Sequence, residues 1–99
     1  MWYAIISQDI ENSLDLRKSL REKHLLRLNQ LKQQGRLVIA GPHPAIDSED
    51  PGPAGFSGSL VVADFDSLEQ AQEWADQDPY LLGGVYQKVT VKPFKKVLP

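Results

Sequence analysis

A histidine stands where the surrounding pattern of a helix predicts a leucine. His24 lies four residues after Leu20 and four before Leu28, on the apolar stripe of an amphipathic helix predicted from about Ser13 to Gln34. An imidazole on such a face is either a core residue hydrogen-bonded to a backbone carbonyl or an acid/base group that faces a cavity. The residue pattern alone leaves both interpretations open.

Proton transfer by His24 would require a carboxylate to orient the ring and a cation to hold an anionic substrate. Asp78 is the best candidate carboxylate, because it precedes Pro79 at the predicted end of a second helix, where the helix dipole disfavours negative charge. It is otherwise an ordinary helix-stop residue, and the nearby Asp76 competes for the role from a more exposed side. Arg17 shares the helix face of His24, and it either clamps a substrate carboxylate or phenolate or is simply solvated.

Two further polar residues bear on the kind of site. Ser59 offers a hydroxyl to a ligand if its side chain faces the helices. His43, between Pro42 and Pro44, is expected on a constrained and exposed loop. A metal site would need both histidines and a carboxylate to converge, and no paired-histidine spacing favours one. We therefore expect neither a metal nor another cofactor.

The composition is that of an ordinary globular protein. The 99 residues are 41% hydrophobic and 24% charged with a net charge of -2, which predicts one domain over residues 1–99 and no basic nucleic-acid footprint. Cysteine is absent, which excludes thiol catalysis and disulfides and fits a reducing compartment. The start of the chain has neither a signal-peptide nor a membrane-span pattern. We expect a cytoplasmic protein without nucleic-acid or membrane partners.

The remaining pattern predicts the elements that would position these residues. Strands are predicted at Trp2–Gln8, Leu37–Gly41, Gly58–Phe65 and Val85–Lys92, and the second helix at Leu68–Gln77. The resulting βαββαβ order, with right-handed crossovers, predicts an α+β, ferredoxin-like split sheet with both helices on one face.

The opposite face of that sheet is also apolar. In the third strand Leu60 and Val62 alternate with Val61, Ala63 and Phe65; in the second, Leu37 and Ile39 alternate with Val38 and Ala40. The fourth strand instead alternates Val85, Val89 and Val91 with Tyr86, Lys88, Thr90 and Lys92. A face exposed to water should be polar, and the chain has no spare element to cover it. We expect a homodimer whose sheets pack face to face.

Several of these features occur together in a known family. Arg17, His24, Gly41-Pro42, Gly58-Ser59, Asp78-Pro79-Tyr80 and Val91-Lys92-Pro93-Phe94 resemble the YciI-like (YCII-related) family of small bacterial proteins over nearly the whole chain. The resemblance implies a ferredoxin-like fold that forms a dimeric α/β barrel. It also implies an active-site cleft that uses a histidine and an aspartate, which correspond to His24 and Asp78.

The resemblance also indicates a class of chemistry. Related proteins include a dehydrochlorinase that acts on a chlorinated hydroxyhydroquinone, and the barrel is similar to that of muconolactone isomerase. We expect a cofactor-free enzyme of lyase or isomerase type, in which His24 transfers a proton, Asp78 orients it, and Arg17 and Ser59 bind a small anionic or phenolic substrate. The alternative is a non-catalytic module that binds a small ligand or a partner.

Overall fold

Four strands form one antiparallel sheet in the computed structural model, which describes residues 1–99. They are β1 (Trp2–Asp9), β2 (Leu37–Pro44), β3 (Phe56–Asp64) and β4 (Tyr86–Phe94), and their order across the sheet is β2-β3-β1-β4. The central strands β1 and β3 are therefore not consecutive in sequence, as a split sheet requires.

Three α-helices and one turn of 3-10 helix (Gly52–Ala54) complete the chain. The α-helices are α1 (Leu14–Gln33), α2 (Leu68–Asp76) and the four-residue α3 (Pro79–Leu82). The order of strands and major helices confirms the predicted α+β, ferredoxin-like architecture. None of the helices is both long and apolar enough to cross a bilayer.

Local signals explain where the helices begin and end. The Ser67 hydroxyl accepts a hydrogen bond from the backbone N–H of Gln70 at 3.1 Å and caps the first turn of α2. Gly35 follows the last turn of α1 with φ of 70°, a left-handed conformation that glycine adopts without strain. Ser13 occupies the N-cap position of α1, but its hydroxyl makes no capping bond and instead donates to Asp9.

The core lies between the sheet and the helices. It consists of buried side chains from alternate positions of β1 and β3, from the residue that follows β3, and from the inner faces of α1 and α2: Tyr3, Ile5, Leu28, Leu31, Val61, Ala63, Phe65, Ala71 and Ala75. Tyr80, Val85 and Tyr86 form a second, smaller cluster where α3 meets β4. The second cluster adjoins the polar residues singled out above.

Bulges change two of the predicted strand orientations. In β2 the register shifts between Leu37 and Ile39, so that Leu37 and Ala40 both pack against the core while Val38 and Ile39 are exposed. The prediction that Leu37 and Ile39 share a face was therefore wrong. It failed because an extra residue in a strand inverts the alternation beyond it.

The same effect occurs at the start of β4. Asp9 pairs with Tyr86 while Gln8 pairs with Lys88, which leaves Gln87 as the extra residue. Tyr86 therefore points toward the helices and is buried, whereas simple alternation predicts it on the face of Lys88. The bulge therefore brings the Tyr86 phenol within hydrogen-bonding distance of Ser59.

Candidate active site

A cavity of about 480 Å³ opens between α1, β2, β3 and α3. This volume lies within the usual range of small-molecule sites. About half of the lining is apolar, and three of the four predicted site residues contribute to it: Arg17, His24 and Ser59. The lining consists of Leu14, Arg17, Lys18, Arg21, His24, Leu25, Leu28, Ala40, Gly41, Pro42, Phe56, Ser59, Val61 and Tyr80.

His24 and Asp78 meet behind one wall of this cavity. The Nδ1 atom of His24 lies 2.8 Å from Oδ1 of Asp78, and both side chains are more than nine-tenths buried. The imidazole also stacks on the ring of Tyr80, with centroids 3.9 Å apart and planes within 9° of parallel. Asp78 thus holds the imidazole at its edge, and Tyr80 holds it on one face.

The position of Asp78 differs from the predicted one. It does not simply end α2; it is the N-cap of α3, where its Oδ1 accepts the backbone N–H of Tyr80 at 2.9 Å. A carboxylate at a helix N-terminus is stabilised by the unpaired amides there, so the expected conflict with a helix dipole does not arise. The competing Asp76 is exposed and bonds to Gln72, away from His24.

This geometry assigns the ring nitrogens of His24 different roles. Because the Asp78 carboxylate can only accept, Nδ1 carries the hydrogen that joins the two residues. In the neutral imidazole Nε2 is then left with a lone pair. Nε2 has no hydrogen-bond partner in the protein and is not sealed from solvent, and the residue lines the cavity.

Arg17 is held by a buried aspartate that sequence analysis missed. Its Nε and Nη2 atoms donate to the two carboxylate oxygens of Asp9 at 2.6 and 2.9 Å, a bidentate ion pair whose side chains are 7% and 1% exposed. Ser13 donates to the same carboxylate at 2.6 Å. Asp9 is the last residue of β1. No sequence periodicity relates the end of a strand to a helix position eight residues later, so the pairing could not be predicted.

The surroundings keep Arg17 charged. Burial alone would lower the pKa of its guanidinium, but the hydrogen bonds and negative charge of Asp9 outweigh burial and raise the pKa above its usual value. The guanidinium also lies 5.0 to 5.9 Å from the ring centroids of Phe56, Tyr80 and Tyr86. Its Nη1 nitrogen, in contrast, has no hydrogen-bond partner in the protein and is not sealed from solvent.

Ser59 links the arginine to the tyrosine that the bulge turns inward. One of the two Nη2 hydrogens of Arg17 bonds to Asp9, and the other is shared between the Ser59 hydroxyl oxygen and the backbone oxygen of Gly58, both 2.9 Å from Nη2. The Tyr86 phenol donates to the same Ser59 oxygen at 2.9 Å. Gly58 must be glycine here, because a Cβ at this position would lie 2.1 Å from the backbone oxygen of Ser7 on β1.

The charges around the cavity have one sign. Arg17, Lys18 and Arg21 line it together with His24, and no carboxylate does. The second histidine, His43, pairs with Gly58, and its Nδ1 atom lies 3.3 Å from the position of a Cβ built on that glycine. It therefore points to the sheet face opposite to that of Ser59, which pairs with Pro42 and lines the cavity. No group of three histidine or acidic side chains converges to form a metal site. The cavity therefore favours an anionic ligand with an apolar body.

Comparison with known proteins agrees with this description. The model of the YCII-related domain matches residues 1–95. Protein YciI of Escherichia coli O6:H1 is 60% identical over 97 residues, which cover 98% of this chain and 99% of the relative. A protein of Haemophilus influenzae is 57% identical over the same shares of the two chains.

A solved structure shares the fold. The 5-chloro-2-hydroxyhydroquinone dehydrochlorinase (TftG) of Burkholderia phenoliruptrix AC1100, in complex with 2,5-dihydroxybenzoquinone, superimposes with a TM-score of 0.84. The alignment covers 96% of this chain and 94% of that one at 22% identity. The likeness in structure shows the ferredoxin-like fold, and the family model with the close relatives shows that this chain belongs to the YCII-related family.

Proposed function

We propose that this protein is a cofactor-free enzyme of lyase or isomerase type that transfers a proton on a small anionic or phenolic ring. One observation carries the proposal: the free Nε2 of His24 and the free Nη1 of Arg17 belong to residues that line the same cavity. A proton acceptor and a fixed cation are the two groups that such a reaction requires.

Each residue has a separate task in this proposal. Nε2 of His24 removes a proton from the substrate, and the imidazolium that forms is stabilised by the Asp78 carboxylate at Nδ1. Arg17 holds the substrate oxyanion through Nη1, and Ser59 adds a hydrogen bond. Stacking on Tyr80 keeps the imidazole from turning away. The proton returns from Nε2 to another atom of the substrate, or to water if a leaving group departs.

The solved relative supports this class of substrate. TftG is a dehydrochlorinase of a hydroxylated, chlorinated ring and binds a dihydroxyquinone. A planar ring with acidic hydroxyl groups matches the apolar lining and the positive charges of the present cavity. The chemistry of the cavity is thus the basis for proposing a small hydroxylated ring as substrate, and the ligand of TftG supports this class.

The direct test measures proton transfer on such rings. The protein is incubated in D₂O with hydroxyhydroquinone, and deuterium incorporation is followed by mass spectrometry; chloride release from 5-chloro-2-hydroxyhydroquinone is measured in parallel. We expect either reaction to run faster than with free imidazole at the same concentration. Rates no higher than with imidazole for both compounds would contradict the proposal.

Replacing Asp78 by asparagine isolates the contribution of its charge. The amide oxygen can retain both bonds that Oδ1 now accepts, from His24 and from the backbone of Tyr80. Because a hydrogen bond to a charged group exceeds a neutral one by about 1–1.5 kcal/mol, we expect roughly tenfold slower exchange. The matched control is Asp76→Asn, at an exposed carboxylate, and equal rates in the two variants would exclude an electrostatic role for Asp78.

The alternative is a module that binds a small metabolite without transforming it. The cavity lining favours this candidate, since its cationic and apolar side chains suit the binding of an anionic ring and no carboxylate lines the cavity to act as a second acid/base group. Binding of an anionic ring with no exchange and no chloride release would support it. In both candidates Arg17 and Ser59 contact the ligand.

We also propose that two copies pair through the helix-free face of the sheet. Exposed apolar side chains on this face include Ile6 and Ile39, while Ala4 and Val62 beside them are buried outside the core cluster. A sheet face that carries these apolar side chains favours contact with a second sheet, because a face exposed to water is normally polar. A second copy supplies a self-complementary apolar surface.

A charge on this face should separate the copies. Ile39 is 56% exposed there, and Ile39→Asp would place a carboxylate in the proposed contact. We expect the unsubstituted protein to have the mass of two chains in sedimentation equilibrium and the variant that of one. Leu26→Asp, on α1 at 60% exposure, is the control and should leave the mass unchanged. A one-chain mass for the unsubstituted protein would contradict the proposal.

A further inference from the structure

We propose that Tyr86 determines the specificity of the cavity by making the Ser59 hydroxyl a donor only, so that the ligand group bound beside Arg17 must be a hydrogen-bond acceptor such as an oxyanion. This inference rests on the proposed function of the cavity. It adds the chemical class of the group that binds at this wall, and it names a residue that does not itself line the cavity.

The Oγ atom of Ser59 accepts as many hydrogen bonds as a hydroxyl oxygen can. A serine hydroxyl donates one hydrogen and accepts at two lone pairs. At Ser59 both lone pairs are occupied, because one Nη2 hydrogen of Arg17, shared with the backbone oxygen of Gly58, and the phenol of Tyr86 each point to Oγ, with donor–acceptor distances of 2.9 Å. The hydrogen of Ser59 therefore has to point elsewhere, and no protein atom accepts it.

The direction of the bond between the two hydroxyl groups follows from burial. If Ser59 donated to Tyr86 instead, the phenol hydrogen would have no acceptor within the buried cluster of Tyr80, Val85 and Tyr86. With Tyr86 donating, the unpaired hydrogen belongs to Ser59, which lines the cavity. Burial also raises the pKa of Tyr86, so its phenol remains a protonated donor under physiological conditions.

A second unpaired donor lies next to the first. Nη1 of Arg17 has no protein partner, and it belongs to the same guanidinium whose Nη2 bonds to Ser59. Arginine cannot accept a hydrogen bond. The wall formed by Arg17 and Ser59 thus presents hydrogens only, and a ligand hydroxyl that retained its hydrogen would gain less there than an oxyanion would.

Tyr86 is held firmly enough to keep the Ser59 hydroxyl in its donor role. Its ring meets that of Tyr80 edge-to-face at 5.6 Å, and the backbone beside it is held by the bulge at Gln87, whose side chain donates to the backbone oxygen of Asp9. Removing only the phenol oxygen would free one lone pair of Ser59, and the hydroxyl could then accept from a ligand as well as donate.

Tyr86→Phe tests the inference with two simple probes. Benzoate presents oxygens that only accept, whereas phenol also carries a donor, and both dissociation constants are measured by NMR titration. We expect the unsubstituted protein to prefer benzoate. In the variant the phenol no longer orients the Ser59 hydroxyl, which becomes free to rotate, so benzoate should bind about three- to tenfold more weakly. Phenol gains an acceptor at Ser59 and should bind no more weakly, so the preference for benzoate narrows. Tyr3→Phe, at a buried tyrosine of the core, should leave the preference unchanged.

A double-variant cycle separates this role from a general packing effect. In the background of Ser59→Ala, the further change Tyr86→Phe should not alter the affinity for benzoate, because its effect acts through the missing hydroxyl. Equal weakening of both probes by Tyr86→Phe, or additive effects in the double variant, would overturn the inference. Binding of neither probe by the unsubstituted protein would also overturn it. Preference for benzoate without proton exchange would instead contradict only the proposed chemistry.

Discussion

Asp9→Ala should lower the free energy of unfolding by about 3–5 kcal/mol, the largest stability effect that we expect from a single polar substitution. The carboxylate is 1% exposed and accepts three hydrogen bonds, two from Arg17 and one from Ser13. Its removal leaves the Arg17 guanidinium buried without a counter-charge. Urea denaturation followed by circular dichroism measures the loss.

Asp64→Ala is the matched control for this prediction. Asp64 also lies at the end of a strand and pairs with a cation, the N-terminal ammonium at 2.7 Å, but both partners are about half exposed. An exposed pair contributes about 0–1 kcal/mol. The double variant Asp9→Ala, Arg17→Met should recover much of the stability, because it removes the unpaired charge. Equal losses for Asp9→Ala and Asp64→Ala would show that the buried pair does not hold Arg17 in place.

His24→Gln should slow proton exchange on the ring substrate by about 10²–10⁴-fold. Glutamine can still donate an N–H to Asp78 and fill part of the space beside Tyr80, but an amide does not take up a proton at neutral pH. The rate is measured by deuterium incorporation under saturating substrate, and the fold is checked by the amide NMR spectrum.

His43→Gln provides the comparison for that experiment. His43 is exposed and lies on the other face of the sheet, so its replacement should leave the exchange rate unchanged. A His24→Gln variant that retains the native spectrum and the full rate would exclude His24 as the base. A variant that unfolds would instead identify His24 as a core residue, and the rate of Asp78→Asn would then decide whether the pair has any role in exchange.

Sequence patterns were sufficient for the architecture and for half of the site. The alternation of apolar residues and the helix stripe predicted every strand and both main helices, with each end within three residues of the observed one. The juxtaposition of His24 and Asp78 was also expected, since an imidazole on a buried stripe and a carboxylate at a predicted helix C-terminus each call for a partner. The four-residue α3 was missed, because one turn of helix leaves no periodicity.

The other half of the site depends on geometry that alternation does not record. Asp9 and Arg17 belong to different elements, and their pairing follows from the way α1 crosses the end of β1. Tyr86 turns inward only because of the bulge at Gln87. A bulge changes the backbone but leaves a weak signal in the sequence. The first residue of β4, the strand with the most regular alternation, was therefore predicted on the wrong face of the sheet.

Because α3 is short, its local unfolding depends on contacts made by residues of the candidate site. A helix of four residues is not stable on its own, and this one is anchored by the Asp78 bond to His24, the stack on Tyr80 and the bond from the Tyr80 phenol to the backbone oxygen of Arg17. His24 and Arg17, which would act on a ligand, therefore also hold α3 in place. Its amides should be among the early ones to exchange with solvent, and an occupied cavity should slow them.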